Sequence, residues 1–353
     1  MKRVAVLGAT GSIGRQALDV IEANPGLELA AAASGSRPID GLAPLTQVGG
    51  DPTALLERAE PDVVLNAIVG FAGVTATLWA LERGIDLALA NKESLVAAGE
   101  LALAARERGG GRLLAVDSEH SGVFQCLEGR APESVHSVVL TASGGPFRGR
   151  NRSELEDVTP DDALAHPTWR MGPKITIDSA TLANKGLEVI EAHFLFGLPY
   201  RRIEVVIQPT SIVHALVRFR DGAALAHLGY PDMRVPISYA LSYPERAAVA
   251  VEPLDLASGL TLKFEPVDPE AFPLLGRARK AGELGGTYPC AFNAANEVAV
   301  AAFLDGRLPF LGVAEVVEET LEQSTGAPAR DLDELIEADT EARRVAERGM
   351  ALA

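Results

Sequence analysis

Cysteine is nearly absent from this 353-residue chain. Only Cys126 and Cys290 occur, too few for a disulfide framework or a structural zinc site, and the reducing cytoplasm fits that scarcity. Positive charge is also short. With 48 acidic against 32 basic residues, the net charge of −16 excludes a nucleic-acid groove and an anionic membrane surface as partners. Any phosphate site must then be local, built from a few basic groups and backbone N–H donors. Lysine is rarest, six against twenty-six arginines. No apolar run reads as a membrane span. Met1-Lys2-Arg3 before Val4-Ala5-Val6-Leu7 looks like the start of a signal peptide, but glycines at 8, 11 and 14 interrupt it. Val63 to Leu81 carries no charged residue, yet Asn66, Gly70, Gly73, Thr75 and Thr77 within it describe a strand, a loop and a helix start.

What remains is the composition of a globular enzyme with two or three domains: 47% hydrophobic and 23% charged residues. Short apolar strands at Val4–Leu7, Leu29–Ala33, Val63–Ala67, Leu87–Ala90 and Leu113–Val116 alternate with helical stretches. That is the pattern of an α/β fold with a doubly wound, Rossmann-like parallel sheet. From Val135 longer strands follow, at Val135–Thr141, Glu204–Gln208, Val213–Phe219 and Ala223–Leu228, as in a mixed sheet. A Gly-, Pro- and Arg-rich stretch from Ser143 to Pro173 has the texture of a lid. Pro244 to Pro269 reads as a linker, and from Phe272 onward the pattern is helical, clearest at Ala291–Phe303, Val313–Leu321 and Leu332–Glu347.

Gly8-Ala9-Thr10-Gly11-Ser12-Ile13-Gly14 follows the first strand and opens a helix from Arg15 to Ala23. Such glycines permit a tight turn and close approach to a pyrophosphate, whose charge a helix N-terminus favours. NAD-binding folds place an acid about 20 residues further on, for the ribose 2′-hydroxyl. Here stands Ser34-Gly35-Ser36-Arg37, with no acid and one guanidinium, which suits the 2′-phosphate of NADPH.

Three further turns carry chemistry. After the strand ending at Val116 come Asp117-Ser118-Glu119-His120. On an extended segment residues two apart face the same way, so both carboxylates can address one cavity. Adjacent carboxylates repel unless a proton or cation lies between them, and hard oxygen ligands favour Mg2+ or Mn2+, with Co2+ a third candidate. Glu188 supplies a third carboxylate from a helix that opens Asn184-Lys185-Gly186. There Ser179, Asn184, Lys185 and helix N–H groups suit a phosphate. Asn91-Lys92-Glu93 follows the fourth strand, and two of the six lysines, 92 and 185, thus occupy the most polar turns. Ser143-Gly144-Gly145 reads as a hinge or an oxyanion turn. His166 and Trp169 lie in the lid, where an indole without a core of its own covers a ligand. Cys126 could be read as an aldehyde-dehydrogenase nucleophile, but it lies on an apolar helix with no paired histidine.

Together these runs resemble the 1-deoxy-D-xylulose 5-phosphate reductoisomerase family over essentially the whole chain. The resemblance rests on GATGSIG at 8–14, ANKES at 90–94, VDSEHS at 116–121, SGGPF at 143–147, HPTWRMG at 166–172 and DSATLANKGLEVIEA at 178–192. It extends to LGYPDMRVPI at 228–237 and FNAANEVAVAAFL at 292–304. It implies Asp117, Glu119 and Glu188 as metal ligands, and Ser143, Ser179, Asn184 and Lys185 as the phosphate cradle. Lys92, Ser118, Glu119, His166 and Glu188 would meet the substrate, with Lys92, Glu119 and His166 catalytic and Trp169 covering the site. Thr10, Gly11, Ser12, Ile13, Gly35, Asn91, Glu93 and Gly172 would contact NADPH, with Ser36 and Arg37 where the family more often shows Lys-Asn. The connections around Pro38–Asp51 and near the C-terminus are short for the family. The resemblance further implies a cytoplasmic homodimer. Its parts would be a cofactor domain (1–117), an α+β catalytic domain (118–242, lid 143–173), a linker (243–268) and a C-terminal helical domain (269–353). The implied reaction is rearrangement and NADPH reduction of 1-deoxy-D-xylulose 5-phosphate to 2-C-methyl-D-erythritol 4-phosphate, on the non-mevalonate route to isoprenoids. Alternatives are another NADPH-dependent aldehyde or semialdehyde oxidoreductase, such as a homoserine dehydrogenase, and a non-enzymatic NADPH sensor.

Overall fold

The computed structural model describes residues 1–352. Strand β1 (Lys2–Leu7) buries Val4, Ala5, Val6 and Leu7 completely, because it is central and covered on both faces. Helix α1 (Ser12–Ala23), β2 (Leu27–Ser34), β3 (Leu45–Val48), α2 (Thr53–Ala59), β4 (Val63–Asn66), α3 (Val74–Glu82), β5 (Asp86–Leu89), α4 (Lys92–Gly109) and β6 (Leu113–Ala115) follow. The six strands form one parallel sheet in the order β3-β2-β1-β4-β5-β6. Strand order reverses between β1 and β4, and ligands of such sheets lie in the crevice beyond that point. Strand β3 was not expected: its four residues are half-exposed at the sheet edge and carry no apolar run. Helix α1 begins at Ser12, three residues earlier than its periodicity suggests.

The second part opens with α5 (Ser118–Leu127) and β7 (Val135–Ala142), then α6 (Pro160–Leu164), α7 (Pro173–Ala180) and α8 (Ala183–Phe196). Strands β8 (Ile203–Ile207), β9 (Val213–Phe219) and β10 (Ala224–Leu228) complete a mixed sheet in the order β10-β9-β7-β8, parallel only between β7 and β8. Helix α9 (Arg234–Ser242) returns to the first sheet, where Ile237, Ala240 and Leu241 join a core with Val4, Val6, Leu65 and Leu114. The irregular chain beyond it is tied to the second sheet by paired backbone hydrogen bonds between Glu265 and Ile207. Helices α10 (Leu274–Leu284), α11 (Tyr288–Leu304), α12 (Gly312–Gln323) and α13 (Leu332–Leu352) close the fold. Helix α11 is central, packing on α10, α12 and α13 and also on α4 and α7.

The stretch between Ser143 and Pro173 contains more structure than its composition suggests. A turn at Arg152–Leu155 and helix α6 are each closed by a capping box, Asn151 with Glu154 and Thr159 with Asp162. Phe147, Leu155, Val158 and Ala163 are buried, and Phe147 meets Phe310 edge to face at 5.1 Å. Such an aromatic pair adds about 0.5–1.5 kcal/mol beyond its buried area. From Leu164 to Gly172 no residue is buried.

Candidate active site

The acidic turn is built differently from the extended segment its sequence suggests. Strand β6 stops at Ala115, and Asp117 is the N-cap of α5, its side chain accepting from the Glu119 N–H at 3.2 Å. Glu119 therefore occupies the first helical turn. Both carboxylates still face one cluster, because cap and first turn share the end of the helix. Glu188 comes to them from α8, which starts just after Leu182, a buried residue held at φ 59°. That left-handed backbone costs a non-glycine residue roughly 1–2 kcal/mol, a strain found where the chain must aim side chains into a site.

Carboxylate oxygens of Asp117, Glu119 and Glu188 lie within 4.8 Å of one another. Two ammonium groups stand among them. Lys92 Nζ donates to Asp117 at 2.6 Å, to Asn184 Oδ1 at 2.8 Å and to Glu188 at 3.2 Å. Lys185 Nζ donates to Glu119 at 2.7 Å and to Glu188, and the Asn184 amide donates to Glu188 at 2.5 Å. Burial opposes the Lys92 charge, yet Asp117 and Glu188 hold its pKa well above the ordinary lysine value. Burial would raise Asp117, but Lys92, His120 and Lys185 keep its carboxyl far below the usual range. Burial pushes Glu188 up to about 7, reinforced by the charges of Asp117 and Glu119 and opposed by Lys185 and Lys92. Three carboxylates against two lysines leave a negative excess and a proton-hungry Glu188. A hard divalent cation fits this donor set.

A second cluster, Asp117, His120 and Glu191, also brings ligand-type atoms together. It does not suit a metal. His120 Nε2 lies 2.9 Å from the Glu188 carbonyl, which can only accept, and Nδ1 lies 3.1 Å from a Glu191 carboxylate. Burial would lower His120, but Glu191 and Asp117 push it up to about 9. With that shift the ring favours its charged form, a poor ligand, and it stands behind the cluster with Nε2 donating to the Glu188 carbonyl and Nδ1 3.5 Å from Asp117. Glu191 was not anticipated from the sequence.

The glycine turn after Ser143 packs on the Ser179 backbone: a Cβ on Gly145, itself at φ 64°, would lie 3.0 Å from the Ser179 carbonyl. Ser143 Oγ accepts from the Gly145 N–H at 3.1 Å. His166 Nδ1 accepts from the N–H groups of Thr168 and Trp169 at 3.1 and 2.9 Å, so Nε2 carries the ring proton and donates to Ser143 Oγ at 3.0 Å. Burial lowers the His166 pKa, consistent with a neutral ring. The Ser143 hydroxyl proton is thereby left to donate elsewhere. Trp169 packs near His214, ring centroids 6.4 Å apart. Ser118 is buried, its hydroxyl donating to Glu119.

At the cofactor end, Gly8 is at φ 80°, and a Cβ on Gly14 would lie 2.2 Å from the Gly8 carbonyl. Thr10, Gly11, Ser12 and Ile13 form the loop between them and are at least partly exposed. Gly35, Ser36 and Arg37 are exposed at the end of β2; among the described residues the Arg37 guanidinium makes no hydrogen bond or ion pair. Asn91 and Glu93 are buried, and Gly172 caps α7. Glu93 accepts from Lys174 at 3.0 Å, and Lys174 also reaches Asp178 at 2.8 Å. Nothing in the local sequence singled out Lys174 or Asp178. Cys126 is buried and its thiol raised by burial, the opposite of an activated nucleophile.

Family models match most of the chain. The model described as 1-deoxy-D-xylulose 5-phosphate reductoisomerase matches residues 4–49 and 43–99. The model of that enzyme's C-terminal domain matches 113–196, and the one described as DXP reductoisomerase C-terminal domain matches 228–345. A 1-deoxy-D-xylulose 5-phosphate reductoisomerase of Geobacillus kaustophilus is 50% identical over 97% of this chain and 98% of that protein. The chain belongs to the 1-deoxy-D-xylulose 5-phosphate reductoisomerase family. A Mycobacterium marinum member is 47% identical, covering 99% of this chain and 94% of its own. Among solved structures, the Zymomonas mobilis enzyme in complex with NADPH superposes with a TM-score of 0.90 at 39% identity over 99% of both chains. A DOX-P reductoisomerase in complex with NADPH, fosmidomycin and magnesium gives 0.90 at 36% identity, over 100% of this chain and 99% of that one.

Proposed function

We propose that the cluster of Asp117, Glu119 and Glu188, flanked by Lys92 and Lys185, is the centre at which this enzyme rearranges a sugar phosphate. The reaction is NADPH- and divalent-metal-dependent conversion of 1-deoxy-D-xylulose 5-phosphate to 2-C-methyl-D-erythritol 4-phosphate. The observation that carries the reading is three carboxylates within 4.8 Å, drawn from two helices and facing one cluster with both lysines. Asp117, Glu119 and Glu188 would hold Mg2+ or Mn2+. A bound divalent ion supplies Lewis acidity at neighbouring substrate oxygens, and NADPH supplies the hydride. The chain's own residues bind and orient. Lys92 and Ser118 meet substrate hydroxyls, and Ser143, Ser179, Asn184 and Lys185 hold the phosphate. Neutral His166 donates to Ser143 and so fixes the direction in which that hydroxyl can donate. Trp169 covers the site and excludes water. Remote phosphate binding is thereby converted into orientation at the reacting carbons.

NADPH would cross the β1/β4 switch point. Thr10, Gly11, Ser12 and Ile13 would meet its pyrophosphate and Gly35, Ser36 and Arg37 its 2′-phosphate, with Asn91, Glu93 and Gly172 toward the nicotinamide. We divide the chain into cofactor (1–117), catalytic (118–242) and helical (269–353) domains joined by 243–268, and place the enzyme in the cytoplasm as a homodimer. Strand β10 supports the dimer reading: it is a free sheet edge with exposed Leu225 and Leu228, and exposed Tyr230 follows. The rival aldehyde-oxidoreductase reading lacks an activated thiol, since both cysteines are buried. Loss of NADPH absorbance on adding the deoxyxylulose phosphate, abolished by a chelator and restored by Mg2+, tests the assignment. Turnover that ignores the chelator would sink the metal role.

A further inference from the structure

The loop Ala67–Gly73, between β4 and α3, walls the crevice opposite the glycine loop. A Cβ on Gly8 would lie 2.4 Å from the Ala67 carbonyl. With pyrophosphate at the glycine loop and the 2′-phosphate beyond β2, the β4 side of the switch point faces the nicotinamide half of the dinucleotide. Two fasteners of this loop are local. Asn66 donates to the Gly73 carbonyl and Asn91 to the Gly70 carbonyl, each at 2.9 Å. The third comes from 226 residues away: Glu297 on α11 accepts from the Phe71 N–H at 3.1 Å. Its carboxylate oxygen lies 2.8 Å from where a Cβ on Gly70 would stand, and Gly70 is at φ 76°. Only glycine admits both that backbone and that approach.

Glu297 is itself fixed. It accepts from Asn293 at 2.9 Å on its own helix and from Arg343 on α13 at 2.8 Å, and Arg343 is held in turn by Asp339. The adjacent Asn296 reaches the other way, donating to Asp178 at 2.7 Å. Asp178 takes Lys174, Lys174 takes Glu93, and Glu93 accepts from Asn91 at 3.0 Å. Asn91 holds Gly70, so the chain of contacts closes on the loop that Glu297 grips. One turn of α11 thus ties the cofactor wall to the helix that carries Ser179.

We infer that Glu297 is a positioning residue for NADPH: anchored by Arg343, it holds Gly70–Phe71 in the shape that receives the nicotinamide half. This rests on the cofactor reading above. Glu297 touches neither the reacting atoms nor the metal carboxylates, so its loss acts on cofactor affinity rather than on the phosphosugar.

The test is NADPH titration by fluorescence, begun on the parent enzyme; if the parent does not bind NADPH, the cofactor reading itself fails. Given parent binding, Glu297→Ala raises the NADPH Kd about tenfold, the scale of one charge-assisted hydrogen bond, while KM for the phosphosugar at saturating NADPH stays within about twofold. Glu297→Gln keeps an oxygen for the Phe71 N–H and recovers most of the affinity. Val300→Ala, buried on the same helix, lowers Tm but leaves the NADPH Kd unchanged. If Glu297→Ala does not fold, Arg343→Met at a partly exposed position carries the same test, raising the Kd several-fold. An unchanged Kd in the folded variant overturns the inference. So does an equal rise in Val300→Ala, which would mark generic damage to the helix.

Discussion

Lys92 and Glu188 stand 96 residues apart in sequence, yet the ammonium and carboxylate meet at 3.2 Å with both side chains almost wholly buried. Breaking a buried pair strands a charge, which costs several kcal/mol. Here Lys92 opens α4 and Glu188 lies in the second turn of α8, and the same ammonium reaches Asp117 at 2.6 Å.

Glu188→Gln preserves shape and removes one negative charge. Metal affinity should fall, and turnover should drop on the order of a hundredfold or more, the scale of several kcal/mol of Lewis-acid stabilisation. NADPH affinity should hardly change. Full activity at ordinary Mg2+ would remove Glu188 from the ligand set. The pH dependence adds a second check. With its pKa pushed up to about 7, Glu188 is mostly protonated below that pH, and a proton must leave as the ion binds. Calorimetry of Mg2+ binding should therefore show affinity weakening as pH falls through about 7 and levelling above it, a dependence absent from the Gln variant. Lys185→Ala should chiefly raise KM for the phosphorylated substrate. An unaltered KM would take Lys185 out of the phosphate cradle.

The two glycines of the cofactor loop should fail in different ways. A Cβ at Gly14 would lie 2.2 Å from the Gly8 carbonyl and 2.6 Å from the Ala9 Cα, all backbone that cannot step aside. Gly14→Ala should lose about 1–3 kcal/mol of stability or more, read as a lowered Tm, together with NADPH binding. At Gly11 the nearest atom is 3.3 Å away and the residue is exposed. Gly11→Ala should keep its Tm and lose NADPH affinity. Equal Tm for both variants would contradict the packing argument.

Where sequence reading succeeded, the signal was local and strong. The central strands carry unbroken apolar runs, Val4–Leu7, Val63–Leu65 and Leu87–Leu89, because both faces are covered, and the glycine loop carries its own geometry. Strand β3 escaped because an edge strand needs no apolar run, and its half-exposed Leu45–Val48 resembles a connection. The pairing of Asp117 with Glu119 was legible, but its cause was not. Strand alternation predicted it, and a helix cap produces it. Glu191, Lys174 and Glu297 were invisible for a different reason. A lone Glu or Lys on a helix looks solvated until its partner is known, and Lys174 meets Glu93 across 81 residues while Glu297 meets Phe71 across 226.

The segment from Ser143 to Pro173 has a firm base and a loose tip, the build a closing lid would need. Phe147, Leu155, Val158 and Ala163 are buried, whereas Leu164, Ala165, Pro167, Arg170 and Gly172 are exposed. Segments with few buried contacts open at little cost. Trypsin should cut the free enzyme after Arg170, and substrate with NADPH and Mg2+ should suppress that cut. Cleavage after Arg170 at the same rate with and without ligands would count against closure.

Discrimination between the two nicotinamide cofactors should turn on Ser34-Gly35-Ser36-Arg37 at the end of β2. The end of β2 carries no acid to repel a 2′-phosphate. The Ser34 hydroxyl donates to the Arg37 carbonyl and so pins the turn, while the guanidinium remains exposed. A charge-assisted contact from Arg37 would contribute roughly 1.5–3 kcal/mol, about tenfold to a hundredfold in affinity. Arg37→Ala should therefore lower kcat/KM for NADPH by that factor and leave NADH unchanged. High salt should narrow the gap between parent and variant, since an exposed charge pair is screened. If the NADPH-to-NADH ratio of the variant equals that of the parent, Arg37 points only into water, and discrimination rests with Ser36 and the backbone N–H groups around Gly35.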